Sequence, residues 1–161
     1  MTVQIYSRFN SELQLIWCGF EPRAVLYGFQ TYEWLCHWHE QIGKPVLNIQ
    51  PQIVVVFHNG QVSAIFPFGI RRSYGIRILQ WLGDRETDYH APILATTWPA
   101  DTDQFEVCWK EVLEKLLPVD VVHLRKQPRD IDSFFGLKKR SVLNNILTNT
   151  GTIINRIKIY L

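Results

Sequence analysis

The chain has 161 residues, which is enough for one domain with a sizeable buried core. Hydrophobic residues make up 47% of it and charged residues 20%, so the composition excludes a disordered or fibrous chain. With 17 lysines and arginines against 15 acidic residues, the net charge of +2 excludes the broad basic surface typical of nucleic-acid-binding proteins.

The cysteines and the N-terminus bear on the compartment. Cys18, Cys36 and Cys108 are odd in number and widely spaced, so they indicate neither a disulfide framework nor a zinc ribbon. The first residues show no basic region followed by an apolar one, and every apolar run is shorter than a membrane span. We therefore expect a cytoplasmic protein with no membrane span.

The N-terminal part predicts a short strand over residues 3–6 and then a short helix. Asn10 or Ser11 can cap that helix, and Gly19 is expected to end it. Residues 21–28 are expected to form a loop.

A longer helix is predicted over residues 31–42. Thr31 is its expected N-cap, and Gly43 with Pro45 is expected to stop it. The residues expected on its buried face recur at helical spacing: Trp34, Leu35, Trp38 and Ile42.

Residues 53–94 predict the scaffold, an antiparallel meander. Asn59 and Gly60 tolerate positive φ and lie between β-rich runs, which is the strongest short-range hairpin signal. A second turn is expected around Tyr74 and Gly75.

A helix capped by Asp101 or Thr102 should follow, with Pro118 ending it and a strand over residues 119–124. The expected buried face comprises Phe105, Cys108, Trp109, Val112, Leu113, Leu116 and Leu117.

The composition changes near residue 141, where Asn and Thr are interleaved with Ile and Leu. We therefore divide the chain into a domain over residues 1–140 and a tail over residues 141–161. The tail could be a closing helix followed by a strand, the start of a linker, or a non-native end.

Residues 36–40 contain one Cys, two His and one Glu, all of which are metal-ligand types. On a helix, however, His37 and His39 point about 200° apart, whereas chelation needs pairs three or four residues apart. Cys36 and Glu40 have that spacing but lack a third ligand, so we predict no metal site.

Acidic residues and a histidine follow the third strand of the meander, where it gives way to a turn: Asp84, Glu86, Asp88 and His90. Loops at strand ends commonly carry sites, and a carboxylate near an imidazole could perform general acid/base chemistry. The alternative is a solvated acidic turn, which the lack of an identifiable nucleophile favours.

Residues 72–77 can be compared with the glycine-rich loops that hold the pyrophosphate of acyl-CoA at a helix N-terminus. Arg72 and Gly75 fit that pattern, but Arg77 does not. The β-rich sequence that follows favours a hairpin turn. The chain also lacks a Gly-x-Ser-x-Gly elbow, a Walker loop and a dinucleotide fingerprint.

Several phrases, in order, resemble the N-terminal half of the GNAT-type acyltransferases of cellulose biosynthesis, which are related to the FemAB-type peptidoglycan aminoacyl transferases. The resembling segments are residues 29–35 with Trp38, Asn59-Gly60 with residues 64–68, residues 79–83, and residues 88–93. The resemblance spans residues 29 to 124.

This resemblance implies an α/β (α+β) fold with a GNAT-like, mostly antiparallel mixed sheet flanked by helices. Members of the family carry two GNAT-like halves, of which the second is expected to hold the acyl-CoA. The expectation is therefore a truncated N-terminal half that is not active alone, binds no cofactor by itself, and pairs with a second GNAT half or a partner chain.

The implied reaction passes an acyl group from acyl-CoA, such as acetyl-CoA, to an amine or hydroxyl of a small-molecule or glycan acceptor. In GNAT enzymes a carboxylate or water relay deprotonates the acceptor, and a backbone N–H on a splayed strand polarises the thioester carbonyl. If this half reaches the acceptor, the candidate residues are Asp84, Asp88, Tyr89 and His90. The alternatives are a non-catalytic binding or interaction module with the same fold, and a complete small acyltransferase with an unfamiliar CoA loop.

Overall fold

The computed structural model describes residues 1–98, 102–116, 118–127 and 158–160. Its helices and strands are β1 (Thr2–Tyr6), α1 (Ser11–Phe20), β2 (Ala24–Val25), α2 (Tyr32–Trp38), β3 (Ile49–His58), β4 (Gln61–Ser73), β5 (Ile76–Trp81), β6 (Ile93–Ala95), α3 (Thr102–Leu116), β7 (Val121–His123) and β8 (Lys158–Tyr160). Two short 3₁₀ turns (Glu21–Arg23 and Gly28–Gln30) and one π-helical turn (His39–Gly43) complete them. The Asp101 cap, Leu117 and most of the tail lie outside the described residues.

The strands form one mixed sheet, which has eight strands within the described residues. Its order is β1-β3-β4-β5-β7-β8, and the short pair β2-β6 joins it through β4. Most neighbours are antiparallel, whereas β5 pairs with β7, and β7 with β8, in parallel. The predicted mixed α/β architecture with a mostly antiparallel sheet is therefore confirmed.

Both turns of the meander are two-residue hairpins. Asn59 and Gly60 have φ of 51° and 77°, and Tyr74 and Gly75 have 50° and 78°. Two successive positive φ angles define the turn whose twist matches the flanking strands. The second hairpin leads directly into β5, so the phosphate-loop alternative for residues 72–77 is wrong.

The first helix begins as predicted and ends later. The Asn10 side chain accepts a hydrogen bond of 2.8 Å from the backbone N–H of Leu13. Gly19 does not end the helix, because α1 continues to Phe20, whose fully buried ring packs in the core. The segment predicted as a loop from residue 21 contains a 3₁₀ turn and then β2.

The second predicted helix is divided. Thr31 caps it, but the α-helix stops at Trp38 and a π-helical turn follows. The backbone N–H of Lys44 bonds the carbonyl of His39, five residues earlier, at 2.8 Å. A Cβ added to Gly43 would lie 2.8 Å from the nearest ring carbon of Trp38, which is too close. Only glycine therefore fits here beside the tryptophan.

Both faces of the sheet centre are covered, which explains the nearly continuous apolar sequence of β3 and β4. On one face α3 packs its predicted apolar stripe, including Phe105 and Trp109, against Phe66 and Phe68. On the other face α1 and α2 form a second core, whose buried members include Trp17, Phe20, Leu35 and Trp38.

A salt bridge fixes the start of the parallel pair. The Arg77 guanidinium donates to both carboxylate oxygens of Asp120, at 3.0 and 3.1 Å, and backbone hydrogen bonds join the same two residues. Such a forked contact sets both distance and orientation. It therefore aligns β5 with β7 at the end of the pair opposite to the pocket described next.

Candidate functional site

A pocket of about 220 Å³ lies where the carboxyl ends of β5 and β7 meet the loops that follow them. Its lining residues come from β4, β5, the loop after β5, and β7 with the segment that follows it: Arg71, Ile78, Gln80, Trp81, Asp84, Arg85, His90, His123, Arg125 and Lys126. The pocket thus combines four cationic side chains, two histidines and one carboxylate.

The alternation of side chains between the two faces of the sheet determines which residues form the floor of this pocket. In β5, Leu79 and Trp81 belong to the core under α3, so Ile78 and Gln80 point to the opposite face. Arg71 of β4 pairs directly with Ile78 and shares that face. In β7, the buried Val122 faces α3, which directs His123 to the pocket side.

The loop after β5 forms one wall and is held by its own polar groups. Gly83 adopts φ +98°, and a Cβ added there would lie 2.5 Å from the Thr87 methyl carbon. The Thr87 hydroxyl lies 2.6 Å from His90 Nε2. The Lys126 ammonium donates to the carbonyls of Arg85 and Thr87, at 3.0 and 2.8 Å, and so ties the segment after β7 to this loop.

His90 is largely engaged in holding this loop. Its Nε2 lies 3.0 Å from the Asp84 carbonyl, and because a carbonyl only accepts, Nε2 donates in that contact. Burial lowers the pKa of His90 below its ordinary value, the bond to Asp84 opposes this, and the Lys126 ammonium lowers it further. The ring is therefore neutral near pH 7 and serves the loop.

His123 is the more open of the two imidazoles, being half-buried where His90 is buried. Burial lowers the pKa of His123, and the positive charge of Arg125 lowers it further. Asp84 opposes these two effects on the pKa, and Arg71 adds a smaller lowering. A neutral imidazole on the pocket floor can accept a proton from a bound ligand.

The structure separates the four residues that the sequence singled out. Asp84 and His90 line the pocket. Asp88 is exposed and does not line it, and Tyr89 stacks on Tyr27 with ring centroids 5.4 Å apart. Glu86 of the same acidic turn accepts a hydrogen bond from the Trp38 indole at 3.0 Å.

Sequence reasoning missed Arg71, Gln80, His123 and Arg125. A signal existed for three of them, because alternation in the predicted strands puts Arg71, Gln80 and His123 on the same face once neighbouring strands are known. The parallel pairing of β5 with β7 was not predictable from the sequence, and it is this pairing that brings Arg71 and His123 together.

The residues considered for a metal lie away from this pocket. His37 is exposed on α2, while His39 Nε2 lies 3.0 Å from the carbonyl of Ile49. Among the described residues, no group of three or more His, Cys, Asp or Glu side chains could hold a metal ion.

In comparisons with known proteins, no family model, no curated protein and no solved structure matches the chain. In the part of the chain that the structure describes, no helix has the length and apolar character needed to cross a membrane. The function must therefore be argued from the pocket.

Proposed function

We propose that the chain is an acyltransferase domain of GNAT type, which supplies the acceptor side of a site that passes an acyl group from acyl-CoA to an amine or hydroxyl. The observation that carries this proposal is the parallel pair β5-β7, whose carboxyl ends open onto the pocket. In open α/β sheets, ligands commonly bind beyond the carboxyl ends of the strands. An antiparallel run followed by a helix and a parallel strand also fits the mixed sheet that the family resemblance implies.

The limited pairing of β5 and β7 supports the same reaction. Among the described residues the two strands pair at Ile78 with Val121 and at Leu79 with Val122, and not beyond. The pairing of β5 with β7 thus ends before Trp81, whose backbone faces β7 beside the pocket, as those of Arg77 and Leu79 do. We assign to this edge of β5 the backbone N–H that polarises the thioester carbonyl in acyl transfer of this type.

His123 is the residue that we assign to deprotonation of the acceptor. It lines the pocket, its pKa is lowered by burial, and it is therefore available as a neutral base near pH 7. Asp84 lies on the neighbouring wall and can orient an amine or hydroxyl toward the imidazole. His90 has a different role, because its ring is bonded within its own loop.

The pocket size favours separate binding sites for the acceptor and for acyl-CoA. Its 220 Å³ is below the roughly 300–1,000 Å³ of sites that enclose drug-sized ligands. A compact acceptor fits this volume, whereas a complete acyl-CoA does not. We therefore propose that acyl-CoA is held by a second GNAT-like half or a partner chain.

The test is a pair of titrations on the full chain. The imidazole NMR signals of His123 are followed while amino acids, amino sugars and sugar alcohols are added, and acetyl-CoA is titrated separately by calorimetry. We expect saturable shifts of His123 with at least one acceptor class and no heat with acetyl-CoA. A His123→Gln variant should bind that acceptor more weakly, whereas His37→Gln, which changes an exposed histidine on α2, should not.

Two outcomes would contradict the proposal in different ways. Saturable acetyl-CoA binding would keep acyl transfer but overturn the proposal that a second half or a partner chain holds acyl-CoA. If neither acetyl-CoA nor any acceptor bound, the acyltransferase assignment would fail.

The second candidate function is a non-catalytic binding module. It is favoured by the hydrogen bonds of His90 and Lys126, because these side chains hold the wall of the pocket in place. That wall contains no evident nucleophile. If the His123→Gln variant bound the acceptor with the same affinity as the unchanged chain, across the pH range in which His123 titrates, this alternative would be selected.

A further inference from the structure

The cationic side chains of the pocket are more numerous than the composition of the chain predicts. Overall the chain carries 17 basic and 15 acidic residues. Arg71, Arg85, Arg125 and Lys126 line the pocket against Asp84 as the sole lining carboxylate among the described residues. Folding thus gathers positive charge from three separate stretches of a nearly neutral chain.

Three of these cations have no acidic partner in the described part of the chain. The ion pair found there joins Arg77 to Asp120, which lies at the start of the parallel pair and outside the pocket lining. Arg71, Arg85 and Arg125 make no salt bridge with the described residues. Their charges therefore add over the same small volume, and a cleft lined by one sign of charge concentrates ions of the opposite sign.

The histidines respond to this positive potential. Burial lowers the pKa of both histidines; Arg125 and, more weakly, Arg71 lower the pKa of His123 further, and Lys126 does so for His90. Asp84 raises the pKa of both histidines, and at His90 its effect exceeds that of Lys126, so it is burial that keeps the pKa of His90 lowered. His123 is thus neutral near pH 7 and can serve a bound anion as a hydrogen-bond donor through a ring N–H, whereas the Nε2–H of His90 is already bonded to the Asp84 carbonyl.

From this geometry we propose that the pocket is a binding site for a compact oxyanion group, a carboxylate or phosphate carried by a small molecule, held mainly by Arg71 and Arg125. A guanidinium presents a planar fork of donors that matches both groups. The volume of 220 Å³ suits a small anionic compound. The site does not depend on acyl transfer; where the proposed function also holds, the acceptor itself carries the anionic group.

The test uses inorganic phosphate and acetate as probes on the full chain, at constant ionic strength maintained with chloride. Binding is followed by the NMR signals of the arginine side-chain N–H groups and of His123. We expect saturable shifts for at least one probe, and preference between the two decides between a phosphate and a carboxylate ligand.

Matched variants locate the site. Arg71→Gln combined with Arg125→Gln should weaken binding by about tenfold or more, because each removes a hydrogen bond to a charged group. Arg72→Gln is the control, since Arg72 is the exposed neighbour of Arg71 on the other face of β4 and does not line the pocket. It should change the affinity less than about twofold. Arg125→Gln alone, at an exposed position, serves if the double variant does not fold.

The proposal is overturned if neither probe binds above the chloride background, or if Arg72→Gln weakens binding as much as the pocket variants. Its failure is distinguishable from that of the proposed function. Phosphate binding without any acceptor or acetyl-CoA binding would keep the anion site and remove acyl transfer. Binding of an amino sugar or a sugar alcohol, neither of which carries an anionic group, with no anion binding, would do the reverse.

Discussion

Replacing Gly83 by alanine should be one of the most damaging small changes in the loop that walls the pocket. Gly83 has φ +98°, which an L-residue adopts at a cost of roughly 1–2 kcal/mol. The new Cβ would also stand 2.5 Å from Thr87 Cγ2 and 3.0 Å from Thr87 Oγ1. Thr87 is buried, so it cannot move away without disturbing its contact with His90.

The magnitude follows from these two effects. Loss of a buried hydrogen bond costs about 1–3 kcal/mol when a partner is left unsatisfied. Together with the backbone cost, Gly83→Ala should lower the free energy of unfolding by about 2–5 kcal/mol. Urea denaturation followed by tryptophan fluorescence measures this quantity.

Gly75→Ala is the matched control. Gly75 has a similar positive φ of +78°, but a Cβ added there would have no atom within 4 Å. It should therefore cost only the backbone part, about 1–2 kcal/mol. If Gly83→Ala is no more destabilising than Gly75→Ala, the argument that Thr87 and His90 are packed against Gly83 is refuted.

Three further predictions concern caps and ionisable groups. Asn10→Ala removes the bond to the Leu13 N–H and should lower the free energy of unfolding by about 1 kcal/mol, whereas no change in urea midpoint would contradict the cap. Hydrogen bonds from Arg77 lower the pKa of Asp120, so the unchanged chain should be more stable than Asp120→Asn, and this difference should shrink as pH falls below the ordinary carboxyl value of 3.8. A difference that stays constant with pH would count against the salt bridge. Burial lowers the pKa of His90, so as pH falls the unfolded chain protonates this histidine before the folded chain does. The free energy of unfolding of the unchanged chain, relative to His90→Gln, should therefore fall below pH 6.5. Parallel curves of stability against pH for the two proteins would show that His90 is not buried as described.

Local features of the fold could be predicted because their causes lie within a few residues. Asn59-Gly60 specifies its hairpin through the positive φ angles that both residues tolerate. Asn10 and Thr31 mark helix starts because their side chains accept hydrogen bonds from N–H groups three residues later. The apolar stripe of α3 was readable from its period alone.

Other features depend on partners that are distant in the chain. The strands β2 and β6 have two and three residues, too few for a periodic signal, and they form by pairing with each other. The π-helical turn after Trp38 reflects how that ring packs against Gly43. Neither effect is visible in a window of sequence.

The candidate site divides in the same way. The sequence by itself determined that polar residues, among them Asp84 and His90, follow a strand of the meander. Only the tertiary structure brought Arg71 and His123 to the same pocket, because the parallel pairing of β5 with β7 aligns residues 43 positions apart, such as Ile78 and Val121. The packing of α3 against the sheet and the Arg77–Asp120 contact accompany this pairing, and both join residues that are far apart in the chain, so a local pattern does not reveal which strands become neighbours.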